Sequence, residues 1–208
     1  MKNTLFTIIT ILSLLSCKAQ APIVPLYFGE GYATTENVYY KDTNNDFDKF
    51  IGTWKHTNGN EELTLSLKKK TLVSRTHNNV TYYTDYIYGE YKYIDTGGNI
   101  LVNTLPNIDG DFTNLSDYKI FGNRILNKYY HPACDDCDGS ERRVKLVIID
   151  PLRDYIKLRI VLRTVPNVAN PDINDITLNL TSEGWPTLPE GQPIEARIPA
   201  NDFRLIKQ

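Results

Sequence analysis

Apolar and polar side chains alternate along much of this chain. Leu63, Leu65 and Leu67 are separated by Thr64 and Ser66, with Lys68 following. Ile156, Leu158, Ile160 and Leu162 alternate with Lys157, Arg159, Val161 and Arg163. Val144, Leu146 and Ile148 repeat the pattern, as do Ile176, Leu178 and Leu180 around Thr177 and Asn179. A period of two places one set of side chains on one face, so each run reads as a half-buried β-strand. Phe203 and Leu205 give a last short strand over Asp202 to Ile206. Turn sequences punctuate these runs: Asn58-Gly59-Asn60, Asp95-Thr96-Gly97-Gly98-Asn99, Asp109-Gly110, Gly122-Asn123, Asp138-Gly139 and Asp150-Pro151. The stretches Val165 to Asp175 and Gly184 to Pro193 are rich in Pro, which donates no ladder hydrogen bond, and read as long loops. No long amphipathic helix interrupts the pattern. The expected fold is all-β: an antiparallel β-barrel, or a strongly bent sheet, of about eight to nine strands.

The N-terminus follows a different pattern. After Met1-Lys2-Asn3 comes an apolar run from Leu5 to Leu15, broken only by hydroxyl residues. It is about half the roughly 20 residues that a membrane span requires, and it reads as a signal-peptide core. Leu14-Leu15-Ser16-Cys17 resembles the lipobox of bacterial lipoproteins, which implies cleavage before Cys17 and acylation of that residue. The alternative is ordinary cleavage after Ala19-Gln20-Ala21, with Cys17 discarded. Residues 18–45 hold Pro, Gly, Asn and Thr without sustained periodicity and read mostly as a tether. Asp46-Phe47-Asp48-Lys49-Phe50-Ile51 reads as one helical turn capped by Asp46. The expected organisation is a lipoprotein signal peptide over 1–16, a lipidated Cys17 and tether over 17–45, and a barrel domain over 46–208.

Charge narrows the partners. The 208 residues carry 23 Lys and Arg against 25 Asp and Glu, interspersed, for a net charge of −2. No basic face is offered to nucleic acid. Beyond Cys17 the chain has Cys134 and Cys137, and an even pair in an exported protein reads as a disulfide clasping a hairpin loop. His131 with Cys134, Cys137 and Asp135, Asp136 or Asp138 would be the ligands of a metal alternative. A catalytic dithiol is disfavoured, since two intervening Asp residues raise thiol pKa.

Other candidates are weaker. Tyr82, Tyr83, Tyr86, Tyr88, Tyr91 and Tyr93 crowd one strand region. Tyr there either packs across strands or presents rings to a ligand in a barrel mouth. Of these, Tyr82, Tyr86, Tyr88 and Tyr91, together with Trp54, are the candidate ligand-binding residues. Asn107-Ile108-Asp109-Gly110-Asp111 reads as a plain Asp-Gly turn rather than a calcium loop, because the Gly comes too early and the distal Glu is missing, and Glu61-Glu62 reads as a solvated hairpin edge. His56 and His77 have no evident nucleophile partner, so no enzyme and no cofactor are expected.

Phe50-Ile51-Gly52-Thr53-Trp54 resembles the F-x-G-x-W start of lipocalins and related calycins. The resemblance implies a helical turn plugging one end of a barrel. It further implies that Trp54 packs beneath the core and that a basic side chain near the C-terminus, Arg204 or Arg197, covers it. The whole chain also resembles short bacterial lipoproteins with a G-T-W-K start, a Tyr-rich strand and no assigned activity. The expectation is a monomeric cell-envelope protein, held at the outer membrane by its lipid, that binds a small apolar or aromatic ligand. The alternative is a filled barrel whose partner is an envelope protein or glycan.

Overall fold

Each alternating run becomes a strand whose apolar face turns toward one lumen. The computed structural model describes residues 21–27, 31–182 and 189–208. The strands are β1 (Ile23–Pro25), β2 (Tyr39–Lys41), β3 (Gly52–Asn58), β4 (Glu61–His77), β5 (Val80–Ile94), β6 (Ile100–Asn103), β7 (Ile120–Leu126), β8 (Arg143–Ile148), β9 (Leu158–Pro166), β10 (Asn174–Ser182) and β11 (Asp202–Lys207). Three single turns of 3-10 helix, at Asp48–Phe50, Leu105–Asn107 and Leu115–Asp117, complete the regular structure of the described residues.

Eight strands close an antiparallel barrel in the order β5-β4-β3-β11-β10-β9-β8-β7, with β7 returning to β5. The registers align the apolar positions. Val144 lies opposite Leu162, which lies opposite Leu178, which lies opposite Phe203. On the other wall Trp54 lies opposite Leu65, itself opposite Tyr91. Trp54, Leu65, Tyr91, Ile160, Phe203 and Leu205 belong to one buried cluster that occupies the lumen. Burial of this kind is the main stabilising contribution, at roughly 1.5–3 kcal/mol for each large apolar side chain.

The β3–β4, β5–β6, β8–β9 and β10–β11 connections gather at one end, the mouth. At the other end, the foot, β4 and β5 run on past β3 as a long hairpin. Its turn is Asn78-Asn79, both at positive φ (48° and 64°), the conformation that a two-residue type I′ turn requires. Gly89 sits where this hairpin joins the wall: an added Cβ would collide with the carbonyl oxygen of Ser66.

The foot departs from the sequence reading. Residues 21–27 and 31–45, read as tether, are packed. β1 and β2 extend the sheet by parallel pairing, Tyr39 beside Tyr83, and Leu26, Val38 and Tyr40 join the core. Two three-residue strands, β1 joined to β2 and β2 to a partner more than 40 residues away, leave no local period to read. The cap of the helical turn differs too. Asp42, not Asp46, accepts the amides of Asp46 (2.8 Å) and Phe47 (3.0 Å). The turn itself buries Phe47 and Phe50 completely. Trp54 donates Nε1–H to the Phe50 carbonyl at 2.8 Å. The cation over its ring is Lys207, 5.3 Å from the centroid, and neither Arg204 nor Arg197. Gly52, at φ +126°, gives the sharp entry into β3 that a side chain would strain.

Candidate functional site

The candidate ligand-binding residues are not brought together. Trp54 and Tyr91 are buried in the lumen, and the Tyr91 hydroxyl donates to Ile149 O near the mouth at 3.0 Å. Tyr82 packs on the foot hairpin against Tyr32 and Tyr40, with ring centroids 5.7 and 5.6 Å away. Tyr86 and Tyr88 lie on the same face of β5 as Tyr82, the face away from Tyr91, and follow it along the outer wall. Arg75 stacks over Tyr86 at 5.6 Å, and Tyr118 covers Tyr88 at 4.5 Å. The crowded Tyr strand is thus covered, wholly or in part, by different partners on its two faces, and no cavity among the described residues collects its rings. Cys17 lies outside the described residues.

Cys134 and Cys137 form a disulfide, with Cα atoms 5.3 Å apart. Together with Asp136 they are the one group of His, Cys, Asp and Glu side chains close enough to share an ion among the described residues. With the sulfurs bonded to each other, Asp136 instead pairs with Arg163 at 2.7 Å. The loop carrying the disulfide folds back over the outside of β8 to β10. The Arg143 guanidinium, buried beneath it, donates to the carbonyls of Pro132 (2.9 Å) and Asn127 (2.9 Å). Arg163 holds the loop's far side through Glu141 at 2.6 Å. Between loop and wall opens a polar groove of ≈ 540 Å³, bordered by Asp136, Arg163, Thr177, Asn179 and Asp202.

Two further hollows are less polar. One, of ≈ 410 Å³ at the mouth, is lined by Ile156, Leu158, Leu180, Ile194 and Ile198. The other, of ≈ 570 Å³ at the foot, is lined by Ile23, Tyr39, Lys41, Leu72 and Tyr83.

Several buried carboxylates, invisible in the sequence pattern, organise these regions. Asp85 accepts the Tyr39 hydroxyl (2.5 Å) and the amides of Asp42 (2.9 Å) and Leu72 (3.2 Å). Asp42 in turn takes Lys69 Nζ at 3.0 Å. Glu61, read as solvated, is buried and accepts the Tyr93 hydroxyl at 2.7 Å. At the mouth Arg197 Nε donates to both Asp150 oxygens at 3.0 Å. Burial alone would push Asp150 up, but hydrogen bonds from Arg197 and the Leu152 amide hold its carboxyl below the usual range. Glu90 differs from all of these. It is fully buried on the outer face of β5 beneath residues 104–119, and neither carboxylate oxygen has a hydrogen-bond partner. Burial raises its pKa, partly offset by Thr104 and Lys119 nearby. No motif marks Glu90; its neighbours in sequence look like any strand.

His56 Nδ1 lies 2.9 Å from the Arg204 carbonyl, Asp109 pairs with Lys68, and Glu62 pairs with Lys55. None of these belongs to a nucleophile–base arrangement. The family whose model matches the chain is described as a family of unknown function (DUF6705), and the match covers residues 1–208. Neither a curated protein nor a solved structure matches the chain.

Proposed function

The chain belongs to that family of unknown function, and we propose that it is a lipid-anchored cell-envelope protein whose barrel is a scaffold for binding at its outer wall. The observation that carries this reading is the lumen: Trp54, Leu63, Leu65, Leu67, Tyr91 and Phe203 occupy it, whereas the polar groove under the disulfide loop opens outward. The groove presents carboxylates, a guanidinium, an amide and a hydroxyl within one hollow. That set suits a hydroxyl-rich partner such as an envelope glycan, which needs donors and acceptors side by side. The role is binding, not catalysis. Saturation-transfer NMR with N-acetylglucosamine-containing glycan fragments tests it: transfer should be seen with the native protein and be lost on Asp202→Ala with Asn179→Ala. Transfer unaffected by the double change would refute the groove.

The mouth hollow favours a second reading, a small apolar ligand held under residues 190–200. Its lining of Ile and Leu fits such a molecule. Native mass spectrometry separates the two readings: Leu180→Trp would fill the hollow and displace a retained apolar ligand without touching the groove.

A further inference from the structure

An apolar patch stays exposed at the foot. Ile23 and Leu72 are 55 % and 54 % exposed. They border one hollow with Tyr39 and Tyr83 because the registers place Ile23 opposite Tyr39 and Tyr39 opposite Tyr83. The other face of the same strands is closed by the packed rings of Tyr32, Tyr40 and Tyr82. Leu72 sits at φ +55°, a left-handed conformation that is unfavourable for a bulky L-residue. It is held there at a break in the β4–β5 register by the buried Asp85 carboxylate, which accepts its amide. A strained backbone and a buried charge therefore present a leucine to solvent. Burial would ordinarily draw it inward.

Where the chain enters this patch identifies what covers it. Ala21 lines the hollow, and Cys17 precedes it by four residues. An extended chain spans at most about 3.6 Å per residue, so Cys17 lies within about 14 Å of Ala21. Acyl chains on Cys17 would bring this face to the bilayer surface. The charge there is complementary. Lys41 borders the hollow and, among the described residues, is the one charged residue that lines it. A cation beside an apolar tip suits a headgroup layer that contains anionic lipid.

We propose that the foot of the barrel is a membrane-docking face: Ile23 and Leu72 enter the headgroup region beside the anchor, and Lys41 faces lipid phosphate. The docked barrel stands with its mouth pointing away from the bilayer, and the disulfide-loop groove stays accessible on its side. This rests on the reading of Cys17 as acylated.

The test uses full-length protein purified from membranes and placed in phosphatidylethanolamine–phosphatidylglycerol vesicles. A fluorophore is attached through Thr71→Cys beside Leu72 or, for comparison, through Thr96→Cys at the mouth. Doxyl-labelled lipid should quench the label at 71 at least twofold more than the label at 96. Ile23→Ser with Leu72→Ser should abolish the difference. Equal quenching in a protein whose N-terminal peptide carries acyl mass overturns the docking face and leaves the anchor standing. An unacylated N-terminal peptide overturns both. Energy transfer between labels at 71 on different molecules would assign the face to a second copy, which also overturns the proposal.

Discussion

Replacing Glu90 with glutamine keeps the volume of the side chain and removes its charge. In the native protein the carboxyl is sealed between β5 and residues 104–119. Thr104 bridges to the Tyr91 backbone, and Tyr118 stacks on Tyr88 and on Phe112. The nearest cation, Lys119, is an incomplete partner, because its Nζ donates to the Asp117 carbonyl. A buried polar group without a hydrogen bond costs about 1–3 kcal/mol, and more when charged. At pH 8, Glu90→Gln should therefore raise stability by about 1–3 kcal/mol; with an m-value of about 2 kcal/mol/M this moves the urea midpoint up by about 0.5–1.5 M. The sign follows from linkage. The folded pKa lies above the ordinary value of 4.5, so the folded state binds the proton more tightly than the unfolded chain does. Native stability then falls as pH rises from about 4.5 through the folded value, and stays lower above it. The gap between variant and native protein should be present at pH 8 and closed at pH 4. Unfolding followed by tryptophan fluorescence at both values measures it. A gap that does not change with pH, or a variant less stable at pH 8, would refute the argument.

Arg197→Met leaves Asp150 buried and unpaired, and should cost about 3–5 kcal/mol at neutral pH. Because the Asp150 pKa is depressed in the folded protein, this contribution exists above the ordinary value of 3.8 and is lost as pH falls through the folded value; thermal unfolding at pH 7 and pH 3 should show the deficit shrinking. Asp85→Ala orphans the Tyr39 hydroxyl and two amides, and should cost at least about 2 kcal/mol. Hydrogen exchange of the Leu72 amide should accelerate in the same variant. Changing both Cys134 and Cys137 to Ser opens a very short loop, for which the stabilisation lost is about 2 kcal/mol or less. Calorimetry should show a modest drop in Tm, and proteolysis should become faster within residues 127–142.

What was legible in the sequence is the lumen. Leu63, Leu65, Leu67, Val144, Leu146, Ile148, Leu158, Ile160, Leu162, Ile176, Leu178, Leu180, Phe203 and Leu205 were read as the apolar faces of strands, and all are buried in the cluster that the barrel encloses. Period-two reading works there because one face meets the core and the other meets water. The disulfide was legible for a different reason, since two nearby cysteines leave few partners. The foot was not, because β1 and β2 are stabilised by distant pairing and by buried carboxylates rather than by a local pattern.

The same reasoning explains why the site was hard to read. In β8, Arg143, Val144, Lys145 and Leu146 are all buried, inner and outer positions alike, and over Arg143 the cover is the disulfide loop. In β5, Glu90 and Tyr91 point in opposite directions and both are fully covered. A loop laid on the outer wall turns a polar, outward position into a buried one, and the alternation that identifies strands then says nothing about which side a partner approaches. Of these covered outer positions Arg143 borders the groove, and Glu90 lies beneath residues 104–119. The binding proposed for the outside of this filled barrel would therefore rest on residues whose type alone, an Arg or an Asp in a strand, looks like ordinary solvated surface.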